Sequence, residues 1–399
     1  MLVLIFSLLI DTSLFFLALC FEIIILIFPL YFQNIFLFFR LTSLLLYYSY
    51  FLESGTYYTY GGDDYGFATR FIQNTDWIDF NILMSGDIIN YPLFYYINKS
   101  YYNIFLTNVN FDIISIHLVA INNFILTLAF IFYRKISLNL FKKDYSLYLL
   151  LLTPVIYFGS IHIRDVYNFF FYALAFYLFI SKNKYDVQII FLCFILSFFI
   201  RPETSIVFLF IILLIDKNNF YKYLSISISI LIAYLYLPFI IGLFRDFDQL
   251  SQIYDQAGLG LSSESGLGES LRNSDSIVSQ VLWYLYNFYR PIPPYLVVQY
   301  SFENLFNFFG NIIWYVCISS IFLNINKVIN NRFLRFNIIF FCIYVFAVSF
   351  FGGTQRHFMM FIPIVFLHFI HLNYNFEKKT VLIFIGIFFA LLLYIFLKL

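Results

Sequence analysis

Carboxylates, arginines and histidines recur in four short stretches of a chain that is otherwise poor in charge. "YTYGGDDYGFATRF", residues 58–71, sets Asp63 beside Asp64 among glycines. "GSIHIRDVYNFFF" carries His162, Arg164 and Asp165, "SFFIRPETSIVF" carries Arg201 and Glu203, and "FFGGTQRHFMMFIPI" carries Arg356 and His357. A carboxylate positioned by its neighbours can act as a general base, a histidine can move protons near neutral pH, and an arginine fork grips phosphate through two parallel hydrogen bonds. Together these residue types suit a reaction in which a hydroxyl is deprotonated and a phosphate-bearing group is held. Each stretch also has an ordinary structural use. Gly-Asp sequences make turns, Arg164 with Asp165 and Arg201 with Glu203 can pair locally, Asp165 suits a helix N-terminus, and arginines near a membrane surface snorkel.

The elements that position these residues follow from composition. Of the 399 residues, 62% are hydrophobic and mean hydropathy is +0.85, well beyond the roughly 45–50% apolar usage of soluble domains. This predicts an all-α polytopic membrane protein, one transmembrane domain over 1–399. A span needs about 20 apolar residues, and apolar runs fall near 2–31, 36–52, 113–133, 146–161, 165–181, 187–200, 203–216, 223–243, 303–325, 336–351, 357–373 and 380–398. That is about twelve helices. The first run is overlong and holds Asp11 and Glu22, so it reads as one tilted helix or two pieces, and the short middle hairpins place their turns within the membrane. The 58 Phe and 35 Tyr reflect a general compositional bias rather than a stacking surface. Cys20, Cys193, Cys317 and Cys342 stand singly inside apolar runs with no metal-ligand spacing and are expected to be buried thiols. No basic n-region or small-residue cleavage site marks a cleavable signal. A net charge of +1 argues against a nucleic-acid partner.

Lys and Arg collect in short loops: Arg134, Lys135, Lys142 and Lys143; Lys182 and Lys184; Lys217 and Lys222; Lys327, Arg332 and Arg335; Lys378 and Lys379. The positive-inside rule makes these cytoplasmic. The segment 53–112, the turns at 161–165, 200–204 and 352–357, and the segment 244–302 then face outward. The inner loops are too short for a nucleotide-binding domain and the chain lacks phosphate-loop motifs, so any chemistry is expected outside. Within the second long segment, "DQAGLGLSSESGLGESLRNSDS" reads as a mobile lid and "NFYRPIPPYL", with Arg290, as a stiffer interfacial hinge. Intramembrane and near-membrane charges are costly and are functional suspects. Three outer turns with an arginine each, where the positive-inside rule leaves few, favour a site for a lipid-linked diphosphate.

The arrangement resembles the EpsG/Wzy-type polymerases of bacterial surface polysaccharides. The resemblance rests on an outward N-terminus, one helix pair, "YTYGGDDYGFATRFIQN" after it, "HIRDVYNFFFYALAFYLFI" about a hundred residues on, and "GTQRHFMMFIPIVFL" near the C-terminus. Glu53 and Ser54 stand where that family often has an arginine. Residues 63–97 are also similar to the first outer loop of C-type glycosyltransferases, with an acidic pair and a later proline-leucine-phenylalanine segment. The first resemblance implies a multi-pass enzyme of the bacterial inner membrane, with an extracytoplasmic active site. It transfers a glycan from an undecaprenyl-diphosphate carrier onto a second lipid-linked glycan, with a flippase and a chain-length regulator as partners and no cofactor or metal. In that role Asp64 or Asp63 is the base, Asp165 and His357 are further catalytic candidates, and Arg164, Arg201 and Arg356 clamp the diphosphate. His162, Glu203 and Arg290 complete the substrate-binding set, His162 also as an auxiliary proton handler. The alternatives are a C-type glycosyltransferase with a polyprenyl-phosphate sugar donor, and a transporter or flippase of lipid-linked sugars. The chain's lack of an obvious internal repeat and its one-sided charges count against the last.

Overall fold

The computed structural model describes residues 2–58, 66, 68, 92–107, 109–181, 186–215, 220–231, 313, 314, 316–350 and 359–372. Among them the chain is mostly helical and has no strand. The helices are α1 (Leu2–Ile10), α2 (Thr12–Ile25), α3 (Leu30–Ser54), α4 (Pro92–Phe105), α5 (Ile114–Phe141), α6 (Thr153–Ser160), α7 (Asp165–Ser181), α8 (Asp186–Phe198), α9 (Pro202–Leu214), α10 (Phe220–Leu231), α11 (Ile325–Ile329), α12 (Arg332–Phe350) and α13 (Ile362–Leu372). By length and composition, two of these can cross a membrane: α3 with 25 residues and α5 with 28.

Local chemistry sets the boundaries. Asp11 breaks the overlong first run: its extended backbone leaves the helix and its carboxylate accepts the Ser13 N–H at 2.6 Å, capping α2. The run is therefore two pieces. Gly55, at φ 74°, ends α3 in the left-handed conformation, its N–H bonded to the Phe51 carbonyl, which glycine adopts without steric cost. The expected span at 146–161 is instead a 3-10 segment, Ser146–Leu151, followed by α6. Pro154 cannot donate to a preceding turn and so sits at the start of α6 rather than within a continuous helix. Cys20 is exposed on α2, against the expectation of a buried thiol, whereas Cys193 and Cys317 are buried.

The core centres on α7. Twelve of its seventeen residues are buried, all round its circumference, as expected for a helix apolar on every face. It packs against α5, α8 and α9. Tyr172 on α7 donates to Asn337 of α12 at 2.7 Å, and Asn337 donates to the Phe361 carbonyl at 3.2 Å, just before α13.

One end of the bundle gathers basic side chains. Arg134 lies 4.6 Å over the Tyr31 ring and pairs with Asp144 at 2.9 Å. The Tyr31 hydroxyl meets Ser146 at 2.7 Å. Lys135 covers Tyr177, Lys143 covers Tyr145, and Arg332 reaches both the Leu214 carbonyl and the Phe179 ring. Helix ends from α3, α5, α7, α9 and α12 thus meet here. From Tyr31, α3 rises about 24 Å, at about 1.5 Å per residue, to Tyr47 at the opposite end.

Candidate functional site

At that opposite end, two helical hairpins turn. The first turn, between α6 and α7, is gripped from α5 and α3. Asn122 donates to the carbonyls of Ile161 at 3.0 Å and Ile163 at 2.8 Å, and the His162 N–H donates to the Tyr47 hydroxyl at 3.0 Å. These bonds satisfy backbone groups that a tight turn would leave without partners and draw the tip inward. His162 and Asp165 are consequently buried, while Arg164 is half-buried.

The second turn, between α8 and α9, closes on Ser197, whose carbonyl accepts the N–H groups of Ile200 and Arg201. Pro202 opens α9, a position where its missing N–H costs nothing, and the Thr204 hydroxyl donates back to the Arg201 carbonyl at 3.0 Å. Asn168 on α7 joins the two tips, donating to Thr204 at 2.7 Å and accepting from Ser197 at 2.9 Å. The same junction holds an ion pair between Arg201 Nη1 and Asp165 Oδ1, with the two side chains only 4% and 7% exposed.

A third wall comes from α4, inside the segment 53–112 that was expected to be loop. The Leu93 N–H donates to the Phe199 carbonyl at 3.1 Å, tying α4 to the second tip. Phe94 stacks on His162 at 5.3 Å, and Asn98 Oδ1 lies 3.0 Å from His162 Nε2. Because Asn98 Nδ2 donates to the Phe94 carbonyl, its oxygen is turned toward the imidazole, and Nε2 is the ring nitrogen that carries hydrogen. Burial pushes the His162 imidazole down to about 3, so it is neutral through the physiological range. Lys99, also on α4, is buried beside this wall.

The structure therefore unites His162, Asp165 and Arg201, with Arg164 at the rim and Glu203 in the first turn of α9. It pairs Arg201 with Asp165 across the two hairpins. Asp63, Asp64, Arg290, Arg356 and His357 lie outside the described residues, as do most of the segments 53–112 and 244–302. Sequence reasoning passed over Asn98, Asn122, Asn168 and Tyr47. For Asn122 and Asn168 the available signal was an asparagine inside an apolar helix, which must find a partner when buried.

Chemically, a carboxylate held against a guanidinium is stabilised as the anion and is a weak base. Asp165 thus positions Arg201. A guanidinium has five donors in a fixed fork, and fixing its orientation in advance favours an incoming anion without further side-chain ordering. No group of three or more His, Cys, Asp or Glu among the described residues could hold a metal ion. No protein family, curated protein or solved structure matches the chain.

Proposed function

We propose that this chain is a polytopic, about twelve-span glycosyltransferase of the bacterial cytoplasmic membrane, of the EpsG/Wzy type. It joins undecaprenyl-diphosphate-linked repeat units at the outer face. The observation that supports this reading is the meeting of the His162 and Arg201 turns through the buried Asp165–Arg201 pair, at the end of the bundle opposite Arg134, Lys135, Lys143 and Arg332. The positive-inside rule makes the basic end cytoplasmic, so the paired turns face outward, where lipid-linked glycans are polymerised.

In this reading Arg201, oriented by Asp165, and Arg164 at the rim stabilise the charge that develops on the departing diphosphate, joined by Arg356. Asp64 or Asp63 takes the proton from the acceptor hydroxyl. His162, neutral and locked between Phe94 and Asn98, shapes the site rather than shuttling protons.

A second reading, transfer from a polyprenyl-phosphate sugar, draws support from the packing of Pro92, Leu93 and Phe94 onto the same turns. That segment carries the resemblance to C-type glycosyltransferases. Donor choice by the purified protein separates the readings. Elongation of a glycan on a lipid diphosphate supports the polymerase, and use of a polyprenyl-monophosphate sugar alone supports the second reading. Transfer of intact lipid-linked sugar across a bilayer with no new glycosidic bond would overturn both in favour of a flippase.

A further inference from the structure

We infer that Arg40, Tyr101 and His117 form a binding site for a phosphate-class oxyanion, separate from the Asp165–Arg201 junction. Arg40 lies in the middle of α3, one of the two helices long enough to span a membrane, and is 1% exposed. Its Nη1 donates to the Ile116 carbonyl at 2.9 Å, but Nε and Nη2 have no hydrogen-bond partner. It forms no ion pair with a carboxylate among the described residues. A full positive charge buried on one neutral carbonyl is poorly compensated. Charges placed this way inside a membrane bundle are retained where they serve a ligand or pathway.

Tyr101 on α4 and Tyr47 on α3 are electrostatic neighbours of Arg40, and Arg40 is in turn a neighbour of His117 on α5, which the Asp11 carboxylate also reaches. The Tyr47 hydroxyl is engaged by the His162 N–H. The Tyr101 hydroxyl and His117 Nδ1 are buried without a partner. His117 is held from its other side, where Nε2 meets the Ser13 hydroxyl of α2 at 3.2 Å. Orphaned polar atoms of α3, α4 and α5 thus lie within electrostatic reach of Arg40: two of its own guanidinium nitrogens, a phenolic O–H and an imidazole nitrogen that donates in one of its two tautomers. A carboxylate is matched by the arginine fork alone, whereas donors from three helices suit the tetrahedral oxygens of phosphate.

The rim suggests how such an anion arrives. Tyr101 packs on Phe105 at 5.1 Å, and Ile104 and Phe105 are exposed, as are Leu19 and Cys20 on α2. Apolar side chains beside the donors admit a lipid phosphate from the side as readily as a soluble one. The site does not depend on glycan transfer, because its test contains no glycan.

The experiment uses the full chain in detergent and in phosphatidylcholine nanodiscs. Inorganic pyrophosphate is one probe, read by calorimetry. Phosphatidylglycerol is the other, read as retained lipid in native mass spectrometry. Binding of either supports the site, with pyrophosphate indicating a soluble oxyanion and phosphatidylglycerol a headgroup. Arg40→Lys loses the planar fork, and Tyr101→Phe loses one hydroxyl with little effect on folding. Each should weaken the bound probe by about tenfold, the worth of one hydrogen bond to a charged partner. If wild-type protein binds neither probe, or both variants bind as wild type does, the inference is overturned. Should Arg40→Lys fail to accumulate, Tyr101→Phe decides alone.

Discussion

Replacing Asp165 by Asn removes a charge while keeping the shape of the side chain, and it isolates the Asp165–Arg201 pair. Arg201 is 4% exposed, so water compensates little of the charge that the lost carboxylate balanced. Removing one member of a buried pair costs about 3–5 kcal/mol. The Asn oxygen still accepts one hydrogen bond, which places the expected loss near the lower bound. Of that, about 0.3–1 kcal/mol comes from losing an acidic residue in the first turn of α7 rather than from the pair itself. A loss of about 3 kcal/mol lowers the folded-to-unfolded ratio by roughly a hundredfold. The double variant Asp165→Leu with Arg201→Met exchanges the pair for apolar volume and should lie within about 1 kcal/mol of wild type or above it. Reversible unfolding in mixed micelles measures all three proteins. A single variant as stable as wild type, or a double variant less stable than the single one, would show that the two side chains do not form a buried pair.

The remaining expectations concern titration, packing and orientation. His162 titrates near 3 when folded and near about 6.5 when unfolded. The unfolded state therefore binds the extra proton below about 6.5, and stability falls with pH. From about pH 7.5 to 5.5, wild type should lose about 1.4 kcal/mol more than His162→Gln, and equal losses would refute a buried neutral imidazole. A side chain at Gly159 runs into Leu126, so Gly159→Ala should cost about 1–3 kcal/mol. Leu126→Ala should then cost less in the Gly159→Ala background than in wild type, measured by the same unfolding assay, and equal costs in both backgrounds would place the strain elsewhere. Cysteine substituted at Ser85 or Ser263 should label from outside intact cells, and labelling only after permeabilisation would invert the proposed orientation. Asp64→Asn or Asp63→Asn should leave single lipid-linked repeat units in place of polymer at matched protein level. Full-length polymer from both would reduce the pair to a turn.

Apolar runs and breakers made much of the helical framework legible. The run 165–181 coincides with α7, and 203–216 differs from α9 by one or two residues at its ends, because Asp165 and Pro202 are strong helix starters. The helix α4 was not legible as one. Its sequence, Pro92–Phe105, mixes Tyr, Asn, Lys and Ser with its apolar residues, and a search for spans discards such a segment. Its folding depends on surfaces supplied by Phe199 and His162, far away in the chain. Arg40 was hidden for the opposite reason, since the apolar run 36–52 is long enough to absorb one charge. A single arginine in such a run was the available signal. The Asp165–Arg201 pair was illegible too: the two residues are far apart in sequence, and the packing of α7 against α9 brings Asp165 to the guanidinium.

The proposed grip of Arg201 on a diphosphate, with Asp165 orienting it, is tested most directly by glycan elongation by purified protein on a lipid-diphosphate-linked repeat unit. Wild type is compared with Arg201→Lys, which keeps the charge and loses the fork, at equal amounts of folded protein. Wild type should extend the glycan and the Lys variant should do so at least about tenfold more slowly. Extension at equal rates, or none by wild type with an intact donor and acceptor, contradicts that grip.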